Sequence, residues 1–592
     1  MKVIAEKSFV QFVYPFTFDR EKMEARRDNL ETLRWDADGR ATPVAGPVDC
    51  NKACWQPSEL NHEEFLRHIS EYVSRPHGGG EQNTAGGGVA DKRGAEGCLT
   101  YKANPQMLQS GAFSMTGGGA EWFLAMTKKG NKQNGDTERR VGFCFQEVTL
   151  VLFRIGVGFM VFRVAAVGDA PEDWFDLIHY FRFAGGAKGR ARGKPIGARR
   201  KTGKDTWKPF FPNLGKDAPA EPTDGRRFGE ILDWFLETGT LNGDPDEGWW
   251  KDIFVPRQML PFSVLLFDDV KPGEQDAVLY RTANFFNSGQ SLHPCADDLP
   301  PRNAAFMPYA DGCWFICSIG GAAYVSINPP DNDFFRGQLL DHVRDAYFTL
   351  YLLVLHQRFA LVNILDIVSA KWITNELTSS GSNACGETVG SAGTPMPKGP
   401  ECVDCAGREF ARETMVDRPD CGDCPGVEYA AVCTAREQAL RRTYDLLLEF
   451  NARGYSALAA QRDHHQRFYD LCQTRLRLAD LHAEVNDEVG RMHEYVVMSQ
   501  QRRLEMRQRA LEKLEKERQG AESTRANRLE RSISFIGTVI AVPSLVCAFL
   551  GINLAGYTNS EGISWAWAAG ICVTSVLLGL IMFMLLPRLY RE

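Results

Sequence analysis

Two uncharged apolar stretches near the C-terminus constrain this chain more than any other feature. Ile533–Leu554 reads ISFIGTVIAVPSLVCAFLGINL, and Trp565–Leu586 reads WAWAAGICVTSVLLGLIMFMLL. Neither contains Asp, Glu, Lys or Arg over its 22 residues. A helix of that length crosses a hydrocarbon core of roughly 30 Å. The link between them, Ala555–Ser564, carries one charge, Glu561. The sequence therefore predicts a two-span transmembrane hairpin over 532–592. Arg528 and Arg531 precede the first stretch, Arg588 and Arg591 follow the second, and the link has no Lys or Arg. The positive-inside rule then places both termini in the cytoplasm.

The first stretch ends in Gly551-Ile552-Asn553 and contains Pro543; Glu561 stands four residues before Trp565. On these residues, roughly the last hundred of the chain resemble the CorA family of divalent-cation channels. That family ends in two transmembrane helices, the first entered by a long cytoplasmic helix and closed by Gly-Met-Asn. The resemblance implies a homopentamer around five copies of the first span, in a bacterial inner (plasma) membrane, with Mg²⁺ as the leading cargo. Ile552 replaces the usual Met, as in the zinc-transporting ZntB branch, so Zn²⁺ is the second cargo. Ser544 lies where the family tends to carry a pore hydroxyl.

Elementary chemistry points the same way. Two spans cannot enclose a hydrophilic path, and closed cyclic assembly is the usual remedy. Asn553 offers an amide oxygen at a helix end whose last carbonyls are also unsatisfied. A ring of such groups suits a hydrated Mg²⁺, which sheds water reluctantly. Helical period puts Val546 on the Asn553 face, with Ser544 a small rotation away. Such an apolar lining suits a gate that closes by dewetting, and Glu561 would draw cations from outside. The competing reading makes Gly551 and Asn553 ordinary helix terminators and the hairpin an anchor.

The rest of the chain has the composition of folded protein, 44% hydrophobic and 24% charged, and its net charge of -7 argues against a general nucleic-acid binder. Most of the sixteen cysteines fall on the side assigned to a reducing cytosol, where disulfides are rare. MKVIAEKSFVQFVYPF reads as an alternating strand broken by Gln11 and Pro15, without the apolar core of a signal peptide. Val148–Ile155 and Gly158–Val167 read as strands joined at Gly156-Val157, followed by a helix from Pro171 to Phe183. Further strands are expected at Val264–Phe267 and Trp314–Ile327. Phe334–Trp372 is a long apolar helix interrupted by His356-Gln357-Arg358, which reads as a buried core helix rather than a third span. The basic, Gly-rich segment Gly185–Lys208 lacks Walker spacing and reads as a solvated loop. The predicted organisation is an α/β cytoplasmic domain over 1–375, a flexible linker over 376–432, a helical hairpin and stalk helix over 433–531, and the membrane hairpin. In the stalk, Leu504, Leu511 and Leu514 form a short heptad stripe.

The linker contains Cys402-Val-Asp-Cys405 and Cys421-Gly-Asp-Cys424, the C-x2-C-x15-C-x2-C spacing of a structural Zn²⁺ site. Four thiolates close a tetrahedral shell with no open position, which argues for structure rather than catalysis. No Walker loop, G-x-S-x-G or H-E-x-x-H occurs, so no enzymatic activity is expected. The leading function is a CorA-like channel, with itself and the bilayer as partners. The alternative is a membrane effector or sensor, of the kind used in defence, whose large N-terminal part binds a small-molecule or protein signal. Elemental analysis is expected to find about one Zn per chain, and the double substitution Cys402→Ser, Cys421→Ser to remove it; unchanged zinc in that variant would refute the assignment.

Overall fold

The computed structural model describes residues 1–35, 41–43, 52–74, 97–109, 122–128, 137–183, 190–191, 194–200, 249–254, 258–290, 292–373, 438–554 and 573–578, with single positions at 232, 235, 236, 570, 580, 581 and 584. They fall in two compact units. The first is Met1–Pro397 with Glu428–Glu494; the second is Lys398–Val427 with Tyr495–Glu592.

The first unit is built on a fourteen-stranded mixed sheet. Its ten principal strands are β1 (Phe9–Phe18), β2 (Cys98–Ala103), β3 (Trp122–Lys128), β4 (Thr137–Phe153), β5 (Val157–Ala166), β6 (Lys194–Arg200), β7 (Leu260–Asp268), β8 (Phe306–Ala310), β9 (Cys313–Ser318) and β10 (Gly321–Ile327). The order along the sheet is β6-β3-β4-β5-β1-β7-β10-β9-β8, with β2 also on β4. The pairing of β7 with β10 is parallel, and the other pairs along this path are antiparallel. The β4–β5 connection turns through Gly156, whose φ of 89° suits glycine. Trp314–Ile327, expected as one strand region, folds as the β9–β10 hairpin because Gly320-Gly321 breaks it. Part of the basic segment read as a loop pairs instead: Ile196–Arg200 register against Trp122–Met126.

β1 was expected to alternate. Nine of its ten positions are buried instead, because it lies mid-sheet between β5 and β7 with helices on both faces. On one face Phe12 packs 4.6 Å from Phe181 of helix α1 (Pro171–Phe181). On the other lies α2, which begins as two π-helical turns, Phe334–Gln338 and Val343–Tyr347, and continues as an α-helix over Phe348–Ile373. Phe262 of β7 sits 5.4 Å from Phe348 and 5.5 Å from Tyr351 of this helix.

Among the described residues, Phe334–Ser369 of α2 is the one helix long and apolar enough to cross a membrane, and it is mostly buried inside the protein. The polar residues at its centre explain how. His356 is fully buried, stacks 3.9 Å from the Phe153 ring, and meets the Tyr72 hydroxyl at 2.9 Å. Gln357 donates to the Gly454 carbonyl at 3.1 Å and to the Tyr469 hydroxyl at 2.7 Å, and accepts from Gln473 at 3.1 Å. Those partners come from α3 (residues 438–449, continued by a π turn to Gly454) and α4 (Asp463–Arg475). The helices after residue 438 thus pack into the sheet unit as far as Glu494, whereas the sequence grouped them with the stalk. α5 starts at Leu478 and runs to Leu554. Its first turns are held by the Tyr455–His482 and Tyr444–His493 ring stacks at 4.0 and 4.1 Å.

Burial without a countercharge pushes His356 down to about 3 from the ordinary 6.5. Its neutral ring therefore contributes stability in full above pH 6.5, and that contribution falls as pH drops from 6.5 toward 3, by about 1.4 kcal/mol per unit. Thermal melts are expected to show the wild type losing stability faster than His356→Phe between pH 6.5 and 4; parallel curves would contradict this.

Candidate functional site

The motif singled out at the end of the first apolar stretch has a helical backbone. Gly551, Ile552 and Asn553 form the last turn of α5, a helix of 77 residues. Their side chains, and that of Val546, lie outside the described residues; Ser544 is exposed. Glu561 and the cysteines Cys402, Cys405, Cys421 and Cys424 lie outside them as well. Among the described residues no group of three or more His, Cys, Asp or Glu side chains could hold a metal ion.

Beyond residue 500, almost every described side chain of α5 is exposed in the single chain. Leu504, Leu511 and Leu514 are each about 60% exposed. In the apolar stretch Ile533, Ile536, Ile540 and Leu545 are exposed, as are Val573, Leu577, Leu578 and Met584 further on. Apolar surface of this extent marks a partner or a lipid environment.

The sheet unit has a second site that no sequence motif announced. A cleft of about 330 Å³ lies between the sheet and the start of α2. Its floor is a polar row running across four neighbouring strands. Gln11 of β1 faces Arg163 of β5, Arg163 faces Glu147 of β4, and Thr149 beside Glu147 faces Lys102 of β2. The local fold that makes this row is a β-bulge. Pairing jumps from Phe145–Val164 to Glu147–Arg163, leaving Gln146 as the extra residue. Before the bulge, Phe143 and Phe145 join the main hydrophobic core; after it, Val148, Leu150 and Leu152 do. The bulge thus reverses which residues face the core and brings Glu147 onto the cleft face. Without it Glu147 would enter the apolar layer under α1.

The charges in the row are paired. Glu147 accepts from Arg163 at 2.9 Å and from the Thr149 hydroxyl at 3.1 Å, and lies 3.3 Å from the Lys102 ammonium. On the opposite wall, in the second π turn, Arg344 grips Asp345 through two bonds of 3.0 and 2.9 Å and pairs with Asp341 at 2.8 Å. Burial lowers the Arg163 pKa, and the Glu147 carboxylate opposes that shift. Two groups remain unpartnered: Gln11 Oε1, in a residue only 5% exposed, and Arg163 Nε. The one sequence signal for this site is Gln11, a lone amide in the run FVQFVYPF. The rest of the floor comes from segments about ninety to one hundred and fifty residues later in the chain, and Arg344 of the wall from more than three hundred later.

A larger cleft of about 620 Å³ borders α3, with Arg20, Lys22, Arg26, Lys251 and Arg442 among its lining residues. Arg20 is tied to Glu449 at 2.9 Å, and Arg26 lies over the Trp249 ring at 5.0 Å. Comparison of the chain with protein-family models, curated proteins and solved structures finds no match. The functional reading therefore rests on residues and geometry alone.

Removing the charge that Arg163 and Lys102 share leaves a partly buried guanidinium uncompensated. Glu147→Gln is expected to destabilise the protein by about 1–2 kcal/mol, against less than about 1 kcal/mol for Lys102→Ala at the exposed end of the row. Equal losses in thermal melts would show that the row is not organised around Arg163.

Proposed function

We propose that the protein is a CorA-like membrane channel that moves divalent cations, Mg²⁺ foremost and Zn²⁺ second, as a homopentamer with both termini cytoplasmic. The observation that carries this reading is the apolar, solvent-exposed surface of α5 beyond Ile533, ending in Gly551-Ile552-Asn553. A single chain leaves that surface uncovered, and a bilayer with neighbouring copies would cover it. The exposed leucines at 504, 511 and 514 offer a contact stripe for those copies below the membrane. Asn553 sits at the helix end where five copies would bring five amide oxygens to the axis. Hydrated Mg²⁺ would exchange hydrogen bonds with that ring rather than lose its water. The tetrathiolate Zn²⁺ site belongs to this reading as a structural clamp in the linker.

A second reading is favoured by the sheet unit: gating by a small molecule. A plain transporter has no use for a formed polar cleft containing two unpartnered buried groups. In this reading the ligand binds the sheet unit, whose α3 and α4 side chains hold both the centre of α2 and the first turns of α5.

Reconstituted proteoliposomes test both. Asn553→Ala is expected to abolish Mg²⁺ and Zn²⁺ flux while native mass spectrometry still finds pentamers, because the ring loses its oxygens and no packing contact. Full flux in that variant would leave the hairpin as an anchor. Wild-type vesicles that stay silent until a small molecule is added would select the gated reading over constitutive transport.

A further inference from the structure

Three arginines stand just below the apolar stretch of α5. From Ser523 to Ser532 the chain carries Arg525, Arg528 and Arg531 against one carboxylate, Glu530. α5 is helical without interruption through them and into Ile533. All three are exposed and form no ion pair among the described residues, whereas Arg518 lower on the helix pairs with Glu522 at 3.2 Å. At about 100° per residue the three sit within an arc of about 120°, and Glu530 lies about 200° round the helix from Arg528.

The rise of the helix sets their depth. With Ile533 at the edge of a hydrocarbon core, Arg531, Arg528 and Arg525 lie about 3, 8 and 12 Å outside it. The headgroup layer on each side of a bilayer is roughly 5–8 Å thick. Two of the three therefore fall in or at that layer, and the long side chain of Arg525 reaches back to it. The positive-inside rule accounts for arginines on this side of a membrane, but not for their alignment on one face.

Assembly adds a second demand. In the heptad set by Leu504, Leu511 and Leu514, Arg518 and Arg525 follow Leu511, and Arg528 stands two heptads after Leu514. Copies seamed along the leucines would bring unpaired arginines of like charge together where the helices enter the bilayer. A phosphodiester anion relieves that repulsion, and a guanidinium meets phosphate through two parallel N–H donors. A zwitterionic headgroup brings its own ammonium with the phosphate and leaves the charge of the stripe uncompensated. An anionic phospholipid compensates it.

We propose that Arg525, Arg528 and Arg531 form a docking stripe for the phosphate of anionic phospholipid headgroups at the cytoplasmic entry of α5. The inference rests on the membrane reading of the apolar hairpin and not on which ion passes.

The test uses the full-length protein in nanodiscs of phosphatidylcholine alone and of phosphatidylcholine with phosphatidylglycerol. Phosphatidylglycerol is expected to raise the Tm by a few degrees at low ionic strength, and the rise to shrink at high salt. The triple variant Arg525→Gln, Arg528→Gln, Arg531→Gln breaks no ion pair among the described residues. It is expected to melt no lower than the parent in phosphatidylcholine and to lose most of the phosphatidylglycerol response. The control Arg507→Gln, Arg509→Gln, about 36 Å or more below Ile533, is expected to keep the full response. Equal melting of the parent in both lipids would overturn the proposal, as would a rise that the triple variant retains. Entry into phosphatidylcholine discs without a phosphatidylglycerol response would leave the membrane reading standing; failure to enter either disc would remove both.

Discussion

His356 and Gln357 sit at the centre of the most apolar long helix among the described residues, and segments distant in the chain pack against them, satisfying Gln357 and the Nε2 of His356 while His356 Nδ1 is left without a partner. Buried amides and imidazoles are tolerated when their hydrogen bonds are made. Here the partners are Tyr72, Gly454, Tyr469 and Gln473. Three of the four come from residues beyond 450, about one hundred positions later in the chain. The sheet therefore cannot complete its core until the segment leading to α5 has folded onto it. Gly454 shows how tight that docking is: a Cβ there would lie 2.7 Å from the Phe450 ring and 3.5 Å from His356 Nε2.

This dependence explains what could and could not be read from the sequence. The β4–β5 hairpin, the helix after it and the helical backbone of Ile533–Leu554 follow from local patterns, and those elements occur where the patterns place them. The burial of α2 was legible because His-Gln-Arg in mid-helix is costly in lipid and affordable against partners. Who the partners are was not legible, since nothing local to Gln357 points to Gly454 or Tyr469. The same limit applies to the cleft. Gln11 stood out as a break in an apolar run, but its pairing with Arg163 is set by strand order, and the facing of Glu147 by a bulge with no turn-forming residue to mark it. The pore and zinc residues are the reverse case: legible as motifs, with their side chains or whole segments outside what the structure describes.

The two units pose different physical problems. In the first, nearly all large apolar side chains are covered and the questions concern the few polar ones beneath them. In the second, the polar stretch of α5 and the apolar stretch that follows are both open to solvent in one chain. A helix of that kind is stable only with company, from lipid along one part and from other chains along another. The channel proposal supplies both with a single assembly.

The bulge at Gln146 also bears on how this strand tolerates change in length. β4 carries two opposite side-chain phases, one up to Phe145 and another from Glu147 onward. Loss of Gln146 would make Phe145, Glu147 and Val148 consecutive in a regular alternation, with Glu147 still on the cleft face and Val148 still on the core. Gain of one residue would widen the bulge and leave two unpaired positions. Most strands absorb drift by substitution, residue for residue. At this point β4 can shed a residue without moving the polar row, which a strand of unbroken alternation cannot do.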